Sequence, residues 1–224
     1  MKRHGKRKGG NMSVKKIEKT ELILTDERKK TLFCEDGTPK YLRYYTQLPF
    51  ALKTLKEKKL HLGDTIFFKD PIDQKWTRAS IGEDENLYAL CLTYETELIH
   101  HWHDYAGGKF GCCFVFKGML LIEAAKKKKL SCGLVNYVKN ISSLPKETAP
   151  NIIPFCKAWP YRCEHEYRII SKTAQELQIE FNWIEQITIT SLLDEKSFDF
   201  FKAEIHSIDK GIIVKHSRLE KEKD

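Results

Sequence analysis

The stretch "KAWPYRCEHEYRII" (157–170) sets Glu164, Glu166 and Arg168 at alternate positions, directly ahead of Ile169 and Ile170. Alternate side chains of a strand share one face, so a strand here projects all three charges together. Two readings fit that pattern. In one, the segment is an exposed sheet edge carrying a Glu–Arg ladder. In the other, a carboxylate is held beside a cation in a cleft, where it orients a substrate hydroxyl or stabilises developing positive charge.

The segments on either side decide the fold class. Upstream, "YLRYYT" (41–46) is aromatic and extended, and "QLPFALKTLKEKKL" (47–60) spaces Phe50, Leu52 and Leu55 for a helix, with Thr46 placed to cap it. "LHLGDTIFFKDPIDQKW" (60–76) reads as a brief strand, a Gly-Asp turn and a proline-containing loop, and "ENLYALCLTYETE" (85–97) as a buried strand. "TELIHHWHDYA" (96–106) predicts a short helix stopped by Gly107 and Gly108, followed by a strand at "GCCFVF" (111–116). "KGMLLIEAAKKKK" (117–129) predicts a helix whose lysines complement the dipole of its last turns, and "SCGLVNYV" (131–138) a strand. A polar, proline-containing loop over 139–154 precedes the opening stretch. After it come "IEFNWIEQITIT" (179–190), a helix at "DEKSFDFFKAEIHSI" (194–208) and a last strand at "GIIVK" (211–215). Strands and helices mix without a βαβ rhythm, which predicts the α+β class.

At 224 residues the chain suits one domain and buries a core without staples. Residues 1–16 read as a disordered basic leader and 17–224 as a single domain; "ELILT" (21–25) is a short strand candidate. No apolar run approaches the roughly 18 residues that span a bilayer, and no secretory core follows the first basic residues. A cytoplasmic chain with no membrane partner is expected. The seven cysteines include no C-x-x-C pair, which argues against a disulfide framework and a structural zinc site. The formal charge of +8 favours a polyanionic partner by counterion release. Signatures of P-loop enzymes, dinucleotide-binding folds, zinc proteases and hydrolase elbows are absent from the sequence.

Two further clusters carry chemistry. In "HHWHDYAGG" (100–108), a helix puts His100 and His103 on one face, but no third ligand has matching spacing, so no metal is expected. Trp102 and Tyr105 then wall a cleft, with Gly107, Gly108 and Gly111 letting backbone pass close. In "YLRYYT", Tyr41, Arg43 and Tyr45 lie on one side of a strand, where an arginine flanked by rings suits a phosphate or carboxylate.

Taken in order, three segments resemble the bacterial family called domain of unknown function 2971. They carry its loop residues at Phe68, Asp70, Pro71 and Asp73, its helix residues at Trp102, Tyr105, Ala106 and Gly111, and its strand residues at Trp159, Tyr161, Glu164, Glu166 and Arg168. The resemblance covers about residues 40 to 171. Lys69 stands where the family's loop has Asn, and Arg162-Cys163 lengthens the step from the aromatic pair to Glu164. The layout of "YLRYYT", "LKTLKEKKLHLG" and "HEYRII" is in turn similar to the ADP-ribosyltransferase fold of bacterial toxins that modify nucleic acid.

That resemblance implies a split mixed sheet with short flanking helices, NAD as substrate, and RNA or DNA as acceptor. It implies Glu166 as the catalytic carboxylate, with Glu164 and Arg43 beside it, and Arg43, Tyr45, Tyr105, Trp102 and Asp70 around NAD. It also implies a toxin or phage-defence effector, with an antitoxin protein as a partner. A non-catalytic module binding a nucleotide or a phage component is the alternative, as is a nuclease in which Asp70, Asp73, Glu164 and Glu166 gather a divalent metal.

Overall fold

The computed structural model describes residues 24–81, 85–139, 152–173 and 176–219. The basic leader, most of "ELILT" and most of the loop over 139–154 lie outside the described residues. The chain order is α1 (Asp26–Leu32), β1 (Tyr41–Gln47), α2 (Leu48–Glu57), β2 (Lys59–His61), β3 (Gly63–Asp64), α3 (Pro71–Ile81), β4 (Tyr88–Thr93), α4 (Ile99–Asp104), β5 (Gly111–Lys117) and α5 (Gly118–Lys127). It continues through β6 (Ser131–Leu134), β7 (Asn136–Val138), β8 (Cys156–Ala158), β9 (Glu166–Ser171), β10 (Glu176–Gln178), β11 (Ile184–Ile189), α6 (Glu195–Ile208) and β12 (Val214–His216).

The main sheet runs β12-β11-β5-β1-β4-β9-β6, with β3 pairing β4 off that path. Its pairs are antiparallel except β11 with β12. The sheet is therefore mixed and its helices are short, which is the α+β architecture expected. Two small two-stranded sheets accompany it, β10 with β2 and β7 with β8.

The two faces of the sheet carry different chemistry. One face presents Leu42, Phe114, Phe116, Leu90, Leu92, Tyr167 and Ile169 to Leu48, Ala51 and Leu55 of α2, Leu121 and Ile122 of α5, and Phe198 and Ile205 of α6. That is the main core, and burying each such side chain contributes about 1.5–3 kcal/mol. The alternate residues face the other way: Arg43 and Tyr45 on β1, Cys91 and Thr93 on β4, Cys113 and Val115 on β5, Glu166 and Arg168 on β9. This second face holds the candidate site.

Local details correct three expectations. The N-cap of α2 is Gln47 rather than Thr46, and it makes no side-chain cap bond, because Pro49 in the first turn supplies the preset φ that starts the helix. The expected proline loop is α3: Asp70 Oδ1 accepts from Ile72 N at 2.9 Å, capping a helix that opens on Pro71. "SCGLVNYV" forms two strands, β6 and β7, that belong to different sheets. The glycine stop after α4 is as expected: Gly107 has φ 75°, and a Cβ there would meet Gln47 Nε2 at 2.3 Å. No described helix is long and apolar enough to cross a membrane.

Candidate active site

Glu166 opens β9, and β9 lies inside the sheet between β4 and β6, so the exposed-edge reading does not hold. Glu164 is not on that strand. It ends a 3-10 turn over Trp159–Glu164, and His165 between the two glutamates is left-handed at φ 49°. The alternation argument therefore places Glu164 wrongly. Even so, the two carboxylates converge, because the kink at His165 carries Glu164 around to the same side.

They converge on Lys157, which β8 delivers into the interior. Lys157 Nζ lies 2.5 Å from Glu164 Oε2, 3.5 Å from Glu166 Oε2 and 3.8 Å from Asp73 Oδ2, above the Tyr161 ring at 5.0 Å. Arg168, 1% exposed, completes the cluster. Its Nε and Nη2 donate to Glu166 at 2.7 and 3.0 Å, its Nη1 and Nη2 to Asp73 at 3.0 and 2.5 Å, and its Nη1 also to the Pro154 carbonyl at 2.7 Å. The guanidinium sits over the Phe68 ring, 5.2 Å away.

All five charged groups are buried, and two cations face three carboxylates, leaving one negative charge among them. Buried ion pairs are poor stabilisers: packed apolar residues in their place are often neutral or better by about 1–4 kcal/mol. The environments drive the two glutamates apart. Burial alone would push the Glu166 carboxyl up, but Arg168 and Lys157 outweigh it and hold it at about 2. Burial pushes the Glu164 carboxyl up, and Lys157 offsets only part of that. One carboxylate stays charged while its neighbour gains affinity for a proton.

Tyr105 closes the cluster on the solvent side, its hydroxyl donating to Glu164 Oε1 at 2.7 Å while the residue as a whole is 40% exposed. His101 packs beside Tyr105, their rings 5.8 Å apart. Burial, with His100 and His165 nearby, pushes the His101 imidazole down to about 3, so it is neutral. Lys69 donates to the Asp104 carbonyl at 2.6 Å and ties the loop ahead of α3 to the end of α4.

A second charged group adjoins the first. Glu95 accepts from Arg28 Nη2 at 2.6 Å and from the Thr96 backbone N at 2.6 Å, while its carbonyl accepts from Arg43 Nη1 at 2.6 Å. His165 Nε2 is 3.9 Å from Glu95 Oε2.

The sequence-derived residues divide accordingly. Glu164, Glu166 and Tyr105 are brought together. Arg43 stands beside them on the same sheet face, half-buried and committed to the Glu95 carbonyl. Tyr45 and Trp102 pack edge-to-face at 5.2 Å in a small apolar cluster with Ala106, Cys113 and Val115. Trp102 is 1% exposed and presents no ring face to solvent. Asp70 caps α3 through one oxygen. Among the described residues no group of three or more His, Cys, Asp or Glu is arranged to hold a metal ion. The residue missed is Lys157, and its signal was a lone lysine in the otherwise apolar run "IIPFCKAW" (152–159).

The fold and site together define an α+β chain built around a buried, net-negative carboxylate pair. No family model and no curated protein matches the chain, so its resemblance to domain of unknown function 2971 rests on the motif residues alone. Among solved structures it is similar to Thermus sp. 2.9 DarT in complex with ADP-ribosylated ssDNA, at 11% identity and TM-score 0.46 over 83% of this chain and 96% of that one. It is also similar to the same protein in complex with NAD+, at 10% identity and TM-score 0.44 over 83% and 97% of the two chains. The complex with carba-NAD+ gives 10% identity and TM-score 0.42 over the same shares.

Proposed function

We propose that the chain is an NAD-dependent ADP-ribosyltransferase that modifies nucleic acid. The observation that carries this reading is the Glu164–Glu166 pair: two adjacent carboxyls, one held ionised, in a dry cluster with one negative charge in excess. Breaking the nicotinamide–ribose bond leaves positive charge on the ribose, and a preset anion in low dielectric stabilises that charge without reorganising. Glu166 aligns the ribose and meets the developing cation. Glu164, whose proton affinity is raised, takes the acceptor's proton as the new glycosidic bond forms.

Of the two candidate stacking tyrosines, Tyr105 is the exposed one, and its hydroxyl bonds Glu164. Arg43 holds a phosphate of NAD by exchanging its backbone partner for the ligand. The net charge of +8 draws a polyanionic acceptor, RNA or DNA. In the cell such an activity belongs to a cytoplasmic toxin or phage-defence effector restrained by an antitoxin protein.

One observation favours the second reading, a nucleotide-binding module without turnover: both Glu166 oxygens are already engaged, by Arg168 and Lys157. The test is incubation with labelled NAD and single-stranded DNA, single-stranded RNA or total cell protein, beside Glu166→Gln. Label on one nucleic-acid class with wild type only supports the transferase. Ligand-dependent melting with neither transfer nor nicotinamide release turns the assignment to the binding module.

A further inference from the structure

We propose that Lys157 is a positioning residue for this reaction, its buried ammonium holding Glu164 and Glu166 side by side as two carboxylates. The inference rests on the transferase reading. Like charges this close do not both ionise when buried unless a cation lies between them. Arg168 pairs with Asp73 and Glu166; Lys157 reaches those two carboxylates and Glu164 as well. The carboxylates come from separate elements: Asp73 from α3, Glu164 from the turn before His165, Glu166 from β9.

The surroundings brace the ammonium and the carboxylates it holds. The Tyr161 ring lies beneath it, and β7 pairs Tyr137 with Lys157 in register while the Tyr137 hydroxyl accepts the Glu166 backbone N–H at 2.8 Å. Cys91 of β4 lies opposite Arg168 in register, and the Tyr105 hydroxyl holds the far oxygen of Glu164. Without Lys157, three carboxylates face one guanidinium, the excess grows to two negative charges, and a proton must enter the cluster. Arg168 still pairs Glu166, so that proton settles on Glu164 and blocks the carboxylate that takes the acceptor's proton. Lys157 touches no reacting atom in this scheme and acts through the pair.

Lys157→Met keeps most of the volume and removes the charge, and Lys157→Met/Glu164→Gln removes one carboxylate with it. For each, nicotinamide release and thermal melting are measured against pH, beside wild type. For Lys157→Met the acid limb of kcat/KM moves up by about one pH unit and kcat near neutrality falls roughly tenfold, while KM changes by less than about twofold. Its melting deficit shrinks as pH falls from about 7 to about 4, because protonation relieves the uncompensated carboxylates. The double variant recovers the melting temperature.

An unmoved acid limb with a melting deficit that does not change with pH overturns the proposal, since Lys157 then only fills space. If Lys157→Met does not fold, the double variant decides: a folded double variant supports the proposal and an unfolded one overturns it. A wild type that releases no nicotinamide overturns the transferase reading. The melting series then judges the carboxylate pair alone, by the same pH-dependent or pH-independent deficit.

Discussion

Tyr105 reaches across 59 positions of sequence to donate its hydroxyl hydrogen to Glu164 Oε1 at 2.7 Å. The bond joins the end of α4 to the turn that precedes β9, so the rim of the site and its carboxylates move as one body. Tyr105→Phe keeps the ring and removes the donor. Stability is expected to fall by about 1 kcal/mol, measured by urea unfolding, and NAD turnover to fall roughly tenfold as Glu164 loses its orientation.

Arg168 binds Asp73 and Glu166 at once, inside the protein. Arg168→Met leaves both carboxylates buried beside a single ammonium, which costs about 3–5 kcal/mol. Calorimetry should show a large drop in melting temperature, partly restored by adding Asp73→Leu. A single variant that melts like wild type would contradict the network described for this site.

His101 gives the protein an acid limb of its own. Burial, with His100 and His165 nearby, holds its folded value at about 3, well below the ordinary imidazole range. An unfolded chain binds a proton there below about pH 6.5 while the folded chain refuses it, so stability from His101 is present above that pH and lost on descent toward 3. The stability advantage of wild type over His101→Gln, which keeps a polar side chain that does not titrate, should shrink as pH falls through that window. A constant advantage from neutral pH to pH 4 would show that His101 takes up its proton without strain.

Gly107 allows the turn that ends α4. Gly107→Ala places a Cβ at φ 75° and against the Gln47 side chain, at an expected cost of roughly 1–2 kcal/mol in chemical denaturation. Gln47 ends β1 and makes no side-chain cap bond to α2, so its side chain can swing aside, the fold survives and only the junction between β1 and α4 loosens.

The strands β1 and β5 and helix α5 were legible because each pairs a clear apolar pattern with a clear stop, as in "GCCFVFK" running into "GMLLIEAAKK". Helix α3 was not, because proline reads as a breaker until its neighbour is weighed: Asp70 and Pro71 together are a helix start, one side chain capping and the next presetting φ. The convergence of Glu164 and Glu166 was legible as spacing, but its route was not, since no sequence pattern announces a left-handed histidine at 165. Lys157 was hidden for a different reason. A buried lysine is justified only by the carboxylates around it, and those arrive from α3 and from the far side of a turn.

The Arg168 guanidinium makes five hydrogen bonds, to Glu166, Asp73 and the Pro154 carbonyl. A lysine ammonium has three donors and no fork, so Arg168→Lys would strand acceptors that water cannot reach. In a saturation library scored for folding, this position should tolerate neither the like-charged swap nor an apolar one, while Tyr105 at the rim admits several. The least permissive codon of the site would then belong to a side chain that no substrate touches.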